Sequence, residues 1–389
     1  MTPAARLAAA IEVLDRILAG QPAEPALTNW GRGHRFAGSG DRAALRDLVF
    51  DALRCSRSHA ALGGAATGRG LILGGLRASG RDVAALFSGE GHAPPPVAAG
   101  EAGRAPEAAE ALDCPDWLLT PLQDSLGSAA EPILMAMRQR APVFLRVNLA
   151  RTSLAAALIL LAGDGIAAQA HPLAKTALEV TGNARKIQNS RAFQQGLVDL
   201  QDAASQAVVA ALPLHPGLRV LDFCAGGGGK SLAMAAFGAR VFAHDANIAR
   251  MSDLPARAKR AGAQVTITKN PSESAPFDLI LTDVPCSGSG SWRRDPQGTW
   301  ALTPARLEEI HILQARILNC AAEFLSPAGR LAYVTCSLLK SENEAQIAAF
   351  LARHPGWILE DTQRFTPLQG GDGFFMAQLT PPGDRHIQP

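Results

Sequence analysis

Two cysteines stand at matching places in the chain. Asp283-Val284-Pro285-Cys286-Ser287-Gly288 closes one apolar run and Tyr333-Val334-Thr335-Cys336-Ser337 closes a later one. A lone cysteine is most often a small buried hydrophobe. Two thiols that follow neighbouring strands on the same side as a glycine-rich loop weaken that reading, because a thiolate is also a strong nucleophile. The loop is Leu221-Asp222-Phe223-Cys224-Ala225-Gly226-Gly227-Gly228-Gly229-Lys230-Ser231. It lies between a strand and a helix, where an open α/β sheet holds its ligands.

Three ligands compete for such a loop. A phosphate-binding P-loop needs glycine where Cys224 stands, so that reading fails on spacing. A Gly-x-Gly-x-x-Gly dinucleotide fingerprint would need glycine at Ser231 or Leu232, and fails too. An acidic residue ending the strand, then glycines that let the backbone approach a carboxylate and a ribose, is the pattern of an S-adenosylmethionine site. Asp245 ends the next strand, where a carboxylate can accept both ribose hydroxyls; a helix N-cap is the competing use.

Elements that position these residues are legible from residue 218 onward. Strands at Leu218–Phe223, Arg240–His244, Gln264–Thr268, Phe277–Thr282 and Arg330–Thr335 alternate with helices. One long helix opens at Thr303-Pro304, and Ser341-x-x-Glu344 reads as a capping box for the last. This alternation predicts a doubly wound, mainly parallel sheet. Trp357–Leu359 and Phe374–Leu379 add an edge hairpin. Upstream, Thr2-Pro3 opens a helix carrying Leu7, Ile11, Leu14 and Leu18, and a second begins at Asp41. A helix over Trp117–Arg138, a strand at Val143–Val147 and a helix from Ser153 give a small α+β insert. Residues 88–110, rich in Pro, Gly and Ala with Val97 as their one large apolar residue, read as a linker. The expected domains are therefore 1–87, 111–185 and 186–389.

Composition bounds the function. With 389 residues, 47% hydrophobic and 19% charged, the chain is globular rather than disordered. Its six cysteines are too sparse for a disulfide scaffold, and none are spaced as a zinc half-site, so reduced thiols and no metal are expected. Charged residues in the first apolar stretch argue against a secretory signal, and no apolar run reaches membrane-spanning length; a cytoplasmic protein with no membrane partner is expected. Net charge is only +2, yet between Glu131 and Arg191 eight basic residues face three acidic ones. That local surplus is either a phosphate-binding face or ordinary solvated surface.

The motifs at Asp222–Ser231, Asp283–Gly288 and Tyr333–Ser337, with Arg293-Arg294-Asp295-Pro296, Glu342-Asn343-Glu344 and Asp372-Gly373-Phe374-Phe375, resemble the Nop/Sun RNA cytosine-5 methyltransferases. The likeness runs from about Asp113 to Leu379 and is nearest to the branch acting on ribosomal RNA; the first helices more weakly resemble a NusB-type RNA-binding domain. It implies a Rossmann-like class I methyltransferase domain, preceded by a small α+β domain and an α-helical NusB-like domain. It also implies that the protein binds RNA, ribosomal rather than transfer RNA; a monomer is expected. By resemblance Cys336 attacks carbon 6 of cytosine, Asp283 acts as acid at N3, and Cys286 serves product release. Lys230 suits lowering a thiol pKa or orienting the pyrimidine, with capping of the loop as its other use. Cys224, Ala225, Gly226, Gly227, Gly228, Gly229, Lys230, Asp245, Asn270 and Asp283 are the expected cofactor-binding residues. Arg293 and Arg294 suit phosphates, and Trp292 or Trp300 suits either base stacking or core packing.

The chain departs from the family pattern Cys-Ala-Ala-Pro-Gly-Gly-Lys-Thr. Gly226 and Gly227 replace the second alanine and the proline, and Ser231 replaces threonine. Loss of proline removes a fixed φ, so a looser loop and weaker cofactor affinity are expected. Lys269-Asn270 stands where an aspartate usually meets the adenine amine, and Pro255 interrupts the helix after Asp245. These departures motivate one alternative, a non-catalytic RNA-binding or ribosome assembly factor with a degenerate cofactor site; a transfer RNA cytosine-5 methyltransferase is the other alternative.

Overall fold

The computed structural model describes residues 1–382, which divide into two units: Met1–Arg140 with Trp292–Leu302, and residue 141 onward without that segment.

The first unit is helical. Helices Pro3–Leu18, Ala23–Gly33, Ser39–Arg54, Ser56–Gly63 and Gly68–Ala78 bury Val13, Leu14, Trp30, Leu45, Val49, Leu71 and Leu73 in one core. Thr2 caps the first, its Oγ1 accepting from Ala5 N at 3.2 Å. The helix expected over Trp117–Arg138 is two, Asp116–Leu126 and Ala130–Met137, broken where Gly127 takes a φ of 57°. Residues 88–110 are not a free tether. Arg69 reaches the carbonyls of Pro95 and Pro96 and pairs with Glu101, and Arg104 N donates to Ala61 O. Composition hides this because the segment is held by its backbone, with little side-chain core of its own. Trp292 is buried in this unit, and half-buried Trp300 donates its Nε1 to Leu53 O at 2.9 Å, so both tryptophans pack in this unit.

The second unit holds two sheets. Strands β1 (Val143–Val147), β2 (Ala167–Ala170), β3 (Ala177–Gly182) and β4 (Val198–Leu200) form an antiparallel sheet in the order β2-β3-β1-β4. Because β4 pairs with β1, with Leu200 opposite Leu145, this sheet runs past the boundary expected at 185. Strands β5 (Arg219–Asp222), β6 (Arg240–Ala243), β7 (Val265–Ile267), β8 (Phe277–Asp283), β9 (Leu325–Thr335), β10 (Ile358–Phe365) and β11 (Phe374–Thr380) form the large sheet. Its order is β10-β11-β9-β8-β5-β6-β7, parallel from β7 to β9, with β11 and β10 antiparallel at one edge.

Both faces of that sheet are covered, so its central strands are apolar throughout. Leu279 and Leu281 pack with Val208, Ala233 and Met234 on one side. Ile280 and Tyr333 pack with Leu318, Ile347 and Phe350 on the other. Pro255 lies in the first turn of a short helix, Leu254–Ala261, where proline is tolerated. The capping box expected at Ser341 does not form: Asn343 is the N-cap residue, and Glu344 pairs with Arg364. Among the described residues no helix is long and apolar enough to cross a membrane.

Candidate active site

The glycine loop, both cysteine motifs and Asp245 all follow carboxyl ends of parallel strands, β5, β8, β9 and β6 respectively. The order in which strands are added to the sheet reverses between the parallel neighbours β5 and β8, and such a switch point opens the crevice in which these sheets bind ligands.

The two thiols meet there. Cys286 Sγ lies 3.4 Å from Cys336 Sγ, and both residues are half-buried. The hydrogen bond to Cys336, then burial and the Glu342 charge, push the Cys286 thiol well above its usual range, so it keeps its proton. Lys230 Nζ donates to Asp283 Oδ2 at 2.6 Å and sits 5.0 Å from the centre of the Phe374 ring. Burial works against the ammonium, but the Asp283 charge and hydrogen bond together with Asp222 and Cys336 raise its pKa. Lys230 is thus a held cation beside the thiols.

A residue outside the expected set fixes the thiols. Glu342, fully buried, receives Ser287 N at 2.7 Å and Gln314 Nε2 at 3.0 Å on Oε1. Its Oε2 accepts from Ser287 Oγ and Ser337 Oγ, each at 2.5 Å. Ser287 follows Cys286 and Ser337 follows Cys336, so one carboxyl group ties both cysteine turns. Gly290 N donates to Cys336 O at 2.8 Å, and a Cβ at Gly290 would lie 2.1 Å from Gly373 O, which makes glycine obligatory at that crossing. The signal in the sequence was Glu342 within six residues of the second cysteine; Gln314 and the serines carried none.

The cofactor-side residues also converge. Gly226 and Gly228 take φ of 51° and 74°, and a Cβ on Gly228 would meet Leu254 Cδ1 at 2.3 Å. Buried Asp245 accepts from Gly226 N and Asn247 N, both at 2.9 Å, and from Arg250 Nη1 at 3.0 Å. A carboxylate has about four acceptor positions, so one remains, and the Arg250 side chain is more than half exposed and able to move. Ser231 Oγ donates to Asp222 Oδ2 at 2.5 Å, Asp222 Oδ1 is buried without a hydrogen-bond partner, and burial lifts this acid to about 7. Burial likewise raises the Cys224 thiol, which stays neutral beside Ala225. Glycines that admit backbone approach, a buried acceptor at Asp245 and an orphaned carboxyl oxygen fit a cationic nucleoside such as S-adenosylmethionine.

Two expectations need correction. Asn270 lies beyond the end of β7, but its Oδ1 already accepts from Ser272 N and Oγ, and its Nδ2 donates to Glu273; it caps a local turn instead of presenting a free amide. Of the eight basic residues between Glu131 and Arg191, at least five engage partners within the protein, although Arg140 and Arg191 stay more than half exposed. Arg138 pairs with Asp113, Arg140 with Asp47 and Arg191 with Asp164, while Arg151 donates to the carbonyls of Gln195 and Arg260. Arg146 is buried, its pKa lowered to about 10 by that burial, and donates to Gly229 O and Gln201 Oε1 at 2.6 Å each. Arg293 is buried in the first unit, where its carbonyl accepts from Arg54 Nε.

Comparison with known proteins finds two family matches, the smaller of which runs across the split at residue 140. Residues 209–386 match the family model described as 16S rRNA methyltransferase RsmB/F, and residues 114–186 match its ferredoxin-like domain. Ribosomal RNA small subunit methyltransferase B of Xanthomonas campestris pv. campestris is 34% identical over 70% of this chain and 68% of that one. The Salmonella arizonae protein of the same name is 36% identical over 68% of this chain, which spans 66% of that relative's length. Among solved structures, PH0851 shares the fold over 98% of this chain and 99% of that one, with TM-score 0.77 and 24% identity. A methyltransferase homologue from Pyrococcus horikoshii covers 70% of this chain, and 97% of its own, at TM-score 0.62 and 26% identity.

Proposed function

The chain belongs to the family described as 16S rRNA methyltransferase RsmB/F, and on that premise we propose that it methylates carbon 5 of a cytosine in small-subunit ribosomal RNA. The observation that carries this reading is the pair of sulfurs 3.4 Å apart beside the Lys230–Asp283 pair.

Carbon 5 of cytosine is a poor nucleophile until a group adds at carbon 6. The Cys336 thiolate forms the S–C6 bond, pushing the ring π electrons toward carbon 5, while the Lys230–Asp283 pair supplies the proton that N3 gains. Bound S-adenosylmethionine supplies the electrophilic methyl group. Asp245 and the turn from Cys224 to Gly229 hold its nucleoside and carboxylate. Release then breaks S–C6: the Cys286 thiol gives its proton to the departing Cys336 sulfur and takes the carbon 5 proton in return, and the N3 proton goes back to the pair. A raised Cys286 pKa suits this order, since the group stays neutral during attack and becomes a strong base once deprotonated. A paired cytosine hides carbon 6, so the target is single-stranded or flipped out.

Trapping tests the assignment. Cys286→Ala with RNA and S-adenosylmethionine should accumulate a covalent adduct that survives denaturing electrophoresis, and Cys336→Ala should form none. Bisulfite sequencing of ribosomal RNA from cells with and without the protein identifies the base. No adduct in either variant, together with no methyl transfer by the wild type, would sink the enzyme reading.

A further inference from the structure

The glycine loop lacks the proline of the family pattern at Gly227, which should leave it loose. The structure places an arginine at that spot. Arg257 Nη1 donates to Gly227 O, and Arg257 Nη2 donates to Asp199 Oδ2 at 2.7 Å. Asp199, on β4, also takes Arg260 Nη2 at 3.4 Å and has Arg146 Nη2 at 3.9 Å. Arg146 in turn donates to Gly229 O. Two carbonyls of the loop are therefore held by guanidinium groups that share one carboxylate in the small antiparallel sheet. A Cβ on Gly227 would come within 3.2 Å of Arg257 Nη1, so the glycine and the arginine fit each other.

We infer that Arg257, braced by Asp199, is a positioning residue that fixes the cofactor loop from outside in place of the stiffness a proline would build into it. A planar fork can reach a carbonyl and a carboxylate together, which an ammonium cannot do in the same geometry. The inference rests on the cofactor reading above for its effect on affinity, but not for its effect on the loop.

Calorimetry with S-adenosylmethionine on the full chain, paired with amide hydrogen exchange of the ligand-free protein, tests it. Arg257→Leu should weaken affinity about tenfold, the scale of one charge-assisted hydrogen bond. It should also speed exchange at Gly226 and Gly228, whose amides donate to Asp245 Oδ2 and Ala225 O. Gly227→Pro alone should change affinity little, and in the Arg257→Leu background it should restore most of the loss. Arg257→Lys, which keeps the charge, should resemble Arg257→Leu in exchange and covers the case in which the leucine variant misfolds. Unchanged exchange in both arginine variants, or strictly additive effects of Arg257→Leu and Gly227→Pro, would overturn the clamp. If the wild type takes up no S-adenosylmethionine, the proposed function fails and exchange alone decides the clamp.

Discussion

The cysteine turns and the glycine loop sit at ends of neighbouring strands, yet they are held in opposite ways. The cysteine turns are tied from within by Glu342, fully buried and receiving four hydrogen bonds from Ser287, Ser337 and Gln314. The glycine loop is held at Gly229 O by buried Arg146, and from its rim by Arg257 at Gly227 O and by Arg250 through Asp245; the Arg250 and Arg257 side chains keep 55% and 22% of their exposure. On the proposed function, the contrast follows from what each must do. Two sulfurs that share one base need fixed separation, and a dry, fully satisfied network gives it. A cradle that admits and releases a cofactor is better served where part of its hold is a clamp that water can reach, because such a clamp is individually weak.

The comparison can be broken most sharply at Glu342. Glu342→Ala strands several buried donors at once and should cost about 5 kcal/mol in chemical denaturation, with turnover falling about 100-fold. Glu342→Gln, which keeps the shape, should lose turnover with less of the stability; equal losses in both would mean the network serves folding alone. Asp222 is a buried acid on the loop side. Its pKa is raised from 3.8 to about 7, so the folded state holds a proton that the unfolded state has released. Stability should then fall as pH rises from about 4 to 7, by at most about 4 kcal/mol, and be level above that. Asp222→Asn should flatten the profile, read as denaturation midpoints across that range.

Smaller effects sharpen the contrast. Gly228→Ala forces a side chain into a φ of 74° and against Leu254, and should cost about 2 kcal/mol with weaker cofactor uptake. Arg250→Ala removes a half-exposed pair to Asp245 and should change stability by less than about 1 kcal/mol. A loss there as large as that at Glu342 would erase the distinction between the two regions.

Much of this was legible along the chain. The order of β5 to β9, the cysteines at strand ends and Asp245 after β6 follow from local periodicity, since strands covered on both faces read as apolar runs and their ends as motifs. The hold on residues 88–110 and the pairing of the arginines between Glu131 and Arg191 were hidden because composition counts side chains. It does not register that backbone carbonyls of Pro95, Pro96, Gln195, Gly229 and Arg260 absorb guanidinium groups. The same blindness made Asn270 look available.

Sequence by itself determined the sheet, the family and the residue types present at the site, because each is written in short windows of the chain. Only the tertiary structure decided that Glu342 joins turns 50 residues apart, that Arg257 reaches the carbonyl of Gly227, and that Trp292–Leu302 packs with the first unit. Those outcomes depend on which hydrogen-bond partners long-range packing leaves within reach, a quantity no local window contains.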